Sequence, residues 1–212
     1  MKFFEIIKGS FKPQTFFSTL PDENIGQPLL YYLIWSSIFA AITIPIAIIG
    51  SLLFSSVISS IFGFGEIGAG IFILLSLAVI AAYFIVVTIA LFAVSGIYHL
   101  ILKMTGAKKT FAKTFQIIVY SYTPNALYGI ISIPLVVISL IPFVGIIFSM
   151  LSFPLSLAVM GYGIFLRVYG FAKGHKLSYL KAAIPDIVAL IVGAILTVAY
   201  FVFIIVMVSQ SY

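Results

Sequence analysis

The sequence lacks cysteine altogether and is poor in charge. The absence of cysteine excludes disulfide bonds, catalytic thiolates and cysteine metal sites. Charged residues make up 8% of the 212 residues and hydrophobic residues 63%, whereas a soluble domain is about a quarter charged and about half apolar. Because helices satisfy their backbone hydrogen bonds within one segment, we expect an all-α bundle of transmembrane helices.

Catalytic motifs are also missing. The sequence contains no His-Glu-x-x-His motif, no pair of membrane aspartates, and no serine or threonine with an obvious base. The parts needed for metal-dependent or acid-base hydrolysis are therefore absent. His99 and His175 have no acidic residue close in sequence that would complete a metal ligand set. We therefore predict a protein that is not an enzyme and has no cofactor and no metal site.

Hydropathy divides the chain into a short leading segment and a membrane domain. Residues 1–28 are too short for a globular domain, residues 29–208 form the membrane domain, and residues 209–212 form a short tail. Each long apolar run exceeds the roughly 20 residues that a bilayer core requires. The five predicted transmembrane spans cover residues 29–54, 71–98, 115–138, 143–166 and 182–208.

The leading segment begins with an amphipathic pattern. Phe3, Phe4, Ile7 and Phe11 recur at helical spacing with charged residues mostly opposite, and Pro13 ends the pattern. A helix of this kind is expected to lie in the headgroup plane as an anchor, and docking of a protein partner is the alternative.

The basic residues fall into three groups separated by apolar runs. They are Lys2, Lys8 and Lys12; Lys103, Lys108, Lys109 and Lys113; and Arg167, Lys173, Lys176 and Lys181. Five spans place all three groups on one side, which the positive-inside rule assigns to the cytoplasm. We therefore predict a multi-pass protein of the cell membrane with its amino terminus inside and its carboxyl terminus outside. The lysines are expected to contact anionic lipid headgroups or a protein partner, whereas clusters between apolar runs do not indicate nucleic acid.

The third predicted span carries an unusual polar stretch. Residues 120–129 read Tyr-Ser-Tyr-Thr-Pro-Asn-Ala-Leu-Tyr-Gly. Polar groups at membrane depth are costly unless they are bonded inside the protein or face water. The stretch is therefore expected to satisfy backbone groups freed by Pro124 or to line a water-filled cleft.

A few ionisable residues are predicted to lie near this stretch on the cytoplasmic side. Asp186 begins span five, Arg167 ends span four and His99 ends span two. Asp186 is expected either to cap its helix or pair with Arg167, or to line a cleft that binds a substrate, proton or peptide. The candidate cluster is His99, Tyr120, Tyr122, Thr123, Pro124, Asn125, Arg167 and Asp186.

Small residues mark a possible packing face on span five. Ala189, Gly193 and Thr197 recur every four positions, a spacing that allows close helix approach. The partner of this face is either another helix of the same chain or a second copy, so a homo-oligomer is an open alternative.

Several segments together resemble a known family. They are Pro13 to Phe17 with Leu20-Pro21, Gln27 to Leu29, Tyr98-His99 before the turn Lys103 to Gly106, Phe111 to Pro124, and Arg167 to Pro185. On these residues the sequence resembles the Yip family, membrane proteins named for interacting with Ypt/Rab small GTPases, in its prokaryotic and archaeal form. The resemblance implies five spans, a cytoplasmic amino terminus and a role linked to membrane trafficking and GTPase recruitment. The sequence departs from eukaryotic members in lacking their long cytoplasmic amino-terminal domain.

Two functional hypotheses follow. The first is a non-enzymatic membrane scaffold or adaptor that acts through its basic cytoplasmic loops. The alternative is a small transporter or channel with a polar cleft around the proline-broken third span.

Overall fold

The computed structural model describes residues 3–22, 24–62, 67–138 and 143–209. Within these ranges every regular element is a helix. In chain order the helices are α1 (Phe3–Ser10), α2 (Pro13–Thr19), α3 (Gly26–Phe62), α4 (Ile67–Met104), α5 (Phe111–Ser121), α6 (Thr123–Ile138), α7 (Val144–His175) and α8 (Tyr179–Ser209). Lys2, the uncharged connection over residues 139–142 and the tail residues 210–212 lie outside the described residues.

Four of the described helices are long and apolar enough to cross a membrane. The qualifying stretches are Gly26–Gly50 in α3, Ile73–Met104 in α4, Gly145–His175 in α7 and Tyr179–Ser209 in α8. The predicted all-α, multi-pass membrane architecture is therefore confirmed. The number of spans and the sides on which the termini lie remain predictions.

The region predicted as the third span consists of two helices that meet at Tyr122. The Tyr122 amide donates to the carbonyl of Val119 over 3.2 Å as α5 ends, and α6 begins at Thr123 with Pro124 in its first turn. Proline is tolerated there because the first amides of a helix have no intrahelical acceptor. The 16 residues of α6 extend about 24 Å, less than the roughly 30 Å hydrocarbon core.

Helix α5 lies at the centre of the most closely packed part of the protein. All of its residues from Lys113 to Ser121 are buried, and Phe115 and Ile117 are fully enclosed. It packs against α1, α3, α4, α6 and α7. Burial on all sides means that α5 is a core helix, whereas the long apolar helices expose much of their surface.

Two glycines allow α7 to approach α5. A Cβ atom at Gly170 would lie 2.6 Å from Cγ2 of Ile117 and 3.0 Å from the ring of Phe17. A Cβ atom at Gly174 would lie 2.6 Å from Cδ1 of Ile117. Contacts this short leave no room for a methyl group, so glycine at both positions sets the distance between the helices.

The leading segment folds back onto this core. Ile6, Phe16 and Phe17 are 2%, 5% and 3% exposed, and the Tyr162 hydroxyl donates to the carbonyl of Ser10 over 2.8 Å. The sequence interpretation placed this segment in the headgroup plane and did not include its packing on α5 and α7. The opposite face of α1 exposes both Phe4 and Lys8, whereas the sequence pattern placed the apolar and the charged residues mostly on opposite faces.

The basic residues gather at one end of the bundle, which we call the basic end. The termini of α4 and α7 and the beginnings of α5 and α8 meet there, together with α1 and α2. Helix α8 leaves this assembly after Asp186, and its residues 187–209 are exposed. A Cβ atom at Gly193 would have no atom of another helix within 4 Å, so the small-residue face of α8 has no partner there in the described part of the chain.

Candidate functional site

A buried ion pair joins α4, α7 and α8. The Arg167 Nη2 and Nε atoms lie 2.8 and 2.9 Å from Oδ1 of Asp186. The Tyr98 hydroxyl donates to the same oxygen over 3.1 Å, and Asp186 is 4% exposed. A carboxylate is tolerated at this depth because the Arg167 cation balances its charge and the Tyr98 hydroxyl donates a hydrogen bond to it. Asp186 was expected either to cap its helix or pair with Arg167, or to line a cleft, and the structure shows the pair with Arg167.

A second polar cluster joins the ends of α4 and α7 to α5. The hydroxyl oxygen of Thr114 lies 2.9 Å from Nδ1 of His99 and 3.1 Å from Nε2 of His175. Thr114 and His175 are buried. A hydroxyl both donates and accepts, so it bridges two neutral imidazoles by donating to one and accepting from the other. Within the described ranges no group of three acidic, histidine or cysteine side chains is arranged to hold a metal ion.

A third cluster attaches the leading segment to α5. The Lys113 ammonium group donates to the carbonyls of Leu20 and Pro21 over 2.8 and 3.0 Å and lies 3.3 Å from Oδ1 of Asp22. Lys109 forms a second ion pair with Asp22. The hydrogen bond from Lys109, followed by the contact with Lys113, holds the pKa of the Asp22 carboxyl below its usual value.

Lys113 is therefore not a surface residue. Only 4% of its side chain is exposed, although the sequence grouped it with the lysines expected to contact lipid or a partner. A buried ammonium group needs hydrogen-bond acceptors, and the carbonyls that follow α2 supply them.

The polar stretch of span three divides between structural and exposed positions. The Tyr31 and Thr123 hydroxyls lie 2.8 Å apart, and the ring of Tyr120 packs edge-on against Tyr31 at a centroid distance of 5.2 Å. Tyr120, Thr123 and Pro124 are all buried. Tyr120 and Thr123 hold α5 and α6 against the beginning of α3. Tyr122, by contrast, is 55% exposed.

A cavity of about 480 Å³ lies beside this stretch. Its walls are mainly aromatic and aliphatic, and its polar lining includes Tyr98, Tyr122, Asn125 and Arg167. Three members of the predicted cluster, Tyr122, Asn125 and Arg167, therefore line the same cavity. His99 and Asp186 are not among its lining residues.

The basic end also carries an exposed cationic surface. Within the described ranges seven lysines are exposed: Lys8, Lys12, Lys103, Lys108, Lys173, Lys176 and Lys181. The ammonium group of Lys173 lies 5.7 and 6.0 Å from the ring centroids of Tyr169 and Tyr179, which hold it by cation–π attraction.

Comparison with known proteins places this arrangement in a family. The family model of the Yip1 domain matches residues 8–206, which is nearly the whole chain. The chain belongs to the Yip1 family. The family resemblance found in the sequence is thereby confirmed. Comparisons with curated proteins and with solved structures gave no match.

The site of this Yip1 protein includes residues that sequence reasoning did not select. Thr114, Tyr31 and Tyr98 each bond to a predicted cluster member or to a neighbouring polar group. Their partners lie far away along the chain, so no local motif signals the contacts. The only sequence signal for the meeting of His99 and His175 is that one ends span two and the other follows span four on the same predicted side of the membrane.

Proposed function

We propose that this Yip1 protein is a non-enzymatic scaffold or adaptor of the cell membrane, and that the basic end is its binding surface. The observation that carries the proposal is that some polar groups at the basic end are buried and bonded within the protein, whereas others are exposed. Asp186, Arg167, His99 and Lys113 bond to other groups of the protein, while lysines at the same end remain exposed. Paired, buried groups are suited to fixing a shape, whereas exposed cations attract an anionic partner.

Two parts of this surface have different chemistry. The outer face of α1, together with the turn that follows it, combines Lys8 and Lys12 with Phe4 and Phe11, whose side chains are 72% and 57% exposed. A face that mixes basic and large apolar side chains suits the bilayer surface. We therefore assign this α1 face to anionic lipid headgroups.

The remaining exposed lysines form what we call the lysine surface. It consists of Lys103, Lys108, Lys173, Lys176 and Lys181. These residues lie at or beyond the ends of α4 and α7, where a soluble protein has access. The lysine surface therefore suits an acidic protein partner, and family analogy suggests a small GTPase as the class to test first.

The test uses two matched double variants in native membranes. One variant changes Lys176 and Lys181 to Gln on the lysine surface, and the other changes Lys8 and Lys12 to Gln on the α1 face. Photoactivated cross-linking that does not depend on lysine side chains, followed by mass spectrometry, identifies bound proteins. The proposal predicts one reproducible acidic partner that is lost in the first variant and retained in the second. Equal capture by both variants would contradict it.

Ionic strength provides an independent measurement. Raising it from about 0.1 M to about 1 M shortens the Debye length from about 10 Å to about 3 Å. Binding of the partner to the lysine surface should weaken over this range. Binding that does not depend on salt would contradict an electrostatic surface.

Transport is the second candidate function, and the cavity beside Asn125 and Arg167 favours it. A transporter reconstituted in vesicles should move a solute at a rate that falls when Asp186 is changed to Asn, because Asp186 holds Arg167. If the protein is a scaffold, vesicles that contain the wild type or the Asp186→Asn variant should show the same solute flux as vesicles without protein.

A further inference from the structure

The cavity has a volume suited to a single small ligand. Its roughly 480 Å³ lie within the about 300–1,000 Å³ typical of ligand sites. Ile118 and Val119 of α5 line it at the basic end, and residues of α3, α4 and α6 form its walls.

Polarity changes along the cavity. Tyr98, at the basic end of α4, and Tyr83 both line it, and fifteen residues of helix separate them by about 22 Å. The α4 residues between them that line the cavity are all apolar: Phe84, Val87, Ala90, Leu91 and Val94. The cavity therefore has its charged and amide groups at one end, near Arg167, and a mainly apolar remainder whose hydroxyls belong to residues such as Tyr32, Ser36 and Tyr83. This distribution fits an amphipathic ligand.

The helix arrangement leaves the cavity open toward the bilayer. Among the described residues α4 packs on α3, α5 and α8, and α6 packs on α3, α5 and α7, but α4 and α6 do not pack closely on each other. Tyr83, Ala90 and Val94 line the cavity on α4 and are exposed. In a membrane the gap between α4 and α6 faces lipid.

The polar end lies at the depth of lipid headgroups. Helix α4 has 38 residues and extends about 57 Å, more than the about 40–45 Å of a whole bilayer. Its apolar run ends at Tyr98, before His99 and Lys103. Tyr98 therefore lies at the membrane interface, and Arg167 lies at the same depth because both side chains bond to Asp186.

Hydrogen-bond donors remain at this end. Arginine has five N–H donors, and the contacts with Asp186 use Nε and Nη2, so Nη1 lies outside the pair. The Tyr122 hydroxyl and the Asn125 amide add further donors. Donors of this kind at the interface suit the oxygens of a phosphate group.

We propose that the cavity binds one phospholipid of the adjacent leaflet. Its phosphate lies at Arg167, Tyr122 and Asn125, and one acyl chain extends along α4 toward Tyr83. A water-soluble solute fits less well because the α4 residues that line the cavity between Tyr83 and Tyr98 are all apolar.

The single tryptophan of the chain provides the test. Trp35 lines the cavity, and brominated acyl chains quench indole fluorescence on contact. The purified protein in a mild non-ionic detergent is titrated with a phospholipid that carries brominated chains. The proposal predicts saturable quenching at about one lipid per chain, in line with a single site.

Matched variants separate the cavity from the outer surface. Ala126→Phe places a ring at a lining position of α6, whereas Ala93→Phe places the same ring at an exposed, non-lining position of α4. Saturable quenching should be lost in Ala126→Phe and retained in Ala93→Phe. Ala90→Phe, at an exposed lining position, should also lose it, and this second variant covers the case in which Ala126→Phe fails to fold.

A brominated diacylglycerol tests the phosphate. It should bind about tenfold more weakly than the phospholipid because it lacks the charge-assisted hydrogen bonds. Equal affinity would overturn the assignment of the phosphate to Arg167. Quenching that rises linearly with lipid and is the same in the wild type and in Ala126→Phe would overturn the site itself.

Discussion

The Lys113 ammonium group lies 2.8 Å from the carbonyl oxygen of Leu20, although 93 residues separate the two along the chain. This contact fastens the end of α2 to the central helix α5. Because the ammonium group is buried, the bond is shielded from solvent and from salt. The leading segment is therefore part of the folded core at the basic end.

Replacing Lys113 should loosen the leading segment. In Lys113→Met the carbonyls of Leu20 and Pro21 lose a charged donor, and the loss of such hydrogen bonds costs about 1.5–3 kcal/mol. We expect a lower thermal unfolding temperature in detergent and faster proteolysis near residue 20. Lys108→Met is the matched control because Lys108 is exposed. Equal effects of the two variants would contradict the role given to Lys113.

Acid should weaken the same attachment. The pKa of Asp22 is lowered in the folded protein, first by the hydrogen bond from Lys109. A lowered pKa means that the carboxylate stabilises the fold above its unfolded value of about 3.9 and that this stability is lost as pH falls through the folded pKa. The effect should be small because the Asp22 side chain is 58% exposed.

The measurement is proteolysis near residue 20 as a function of pH. The wild type should become more sensitive below about pH 4, whereas Asp22→Asn should show the higher sensitivity throughout and no such change. If Asp22→Asn instead showed the same pH profile as the wild type, Asp22 would not be the group that causes the acid sensitivity.

The close approach of α7 to α5 should not tolerate a methyl group. In Gly170→Ala the new Cβ would lie 2.6 Å from Ile117, and overpacking of this kind costs about 1–3 kcal/mol. Gly161→Ala lies on the same helix with nothing within 4 Å, and it should be neutral or stabilising by up to about 1 kcal/mol. Unfolding temperatures of the two purified variants measure the difference. Similar values would contradict the close packing of these helices.

The pair of Arg167 and Asp186 should behave as a buried ion pair. Asp186→Leu or Arg167→Met alone leaves a buried charge without its partner, which costs about 3–5 kcal/mol, whereas the double variant that combines these two substitutions costs much less. Tyr98→Phe removes only one neutral donor and should cost about 1 kcal/mol. Thermal unfolding of the two single variants and the double variant forms a thermodynamic cycle. Additive losses would show that the two residues do not act as a pair.

Much of this architecture could be predicted from the sequence because hydropathy is a local property. The apolar helices α3, α4, α7 and α8 follow from their length and composition. The polar stretch around Pro124 marked span three as unusual, but it did not decide whether the span is one helix or two. The pairing of Asp186 with Arg167 was one of two expectations because few other charges lie at that depth.

Long-range packing could not be predicted in the same way. Lys113 looks like a surface lysine because its acceptors lie on the distant segment that follows α2. The meeting of His99 and His175 depends on Thr114, which has no distinctive sequence context. The amphipathic pattern of α1 predicts that one face is buried and the other exposed. It does not show whether the buried face is covered by protein or by lipid.

The central claim, that the basic end is a surface for cytoplasmic partners, requires that the basic end face the cytoplasm. The sequence has no cysteine, so single cysteines can be labelled with a membrane-impermeant maleimide. The account predicts that Lys103→Cys and Lys176→Cys react only after the cells are permeabilised, and that Ser209→Cys reacts in intact cells. Labelling of Lys176→Cys but not of Lys103→Cys in intact cells would place the ends of α4 and α7 on opposite sides of the membrane, and labelling of both would place the basic end outside. Either result would contradict the proposal.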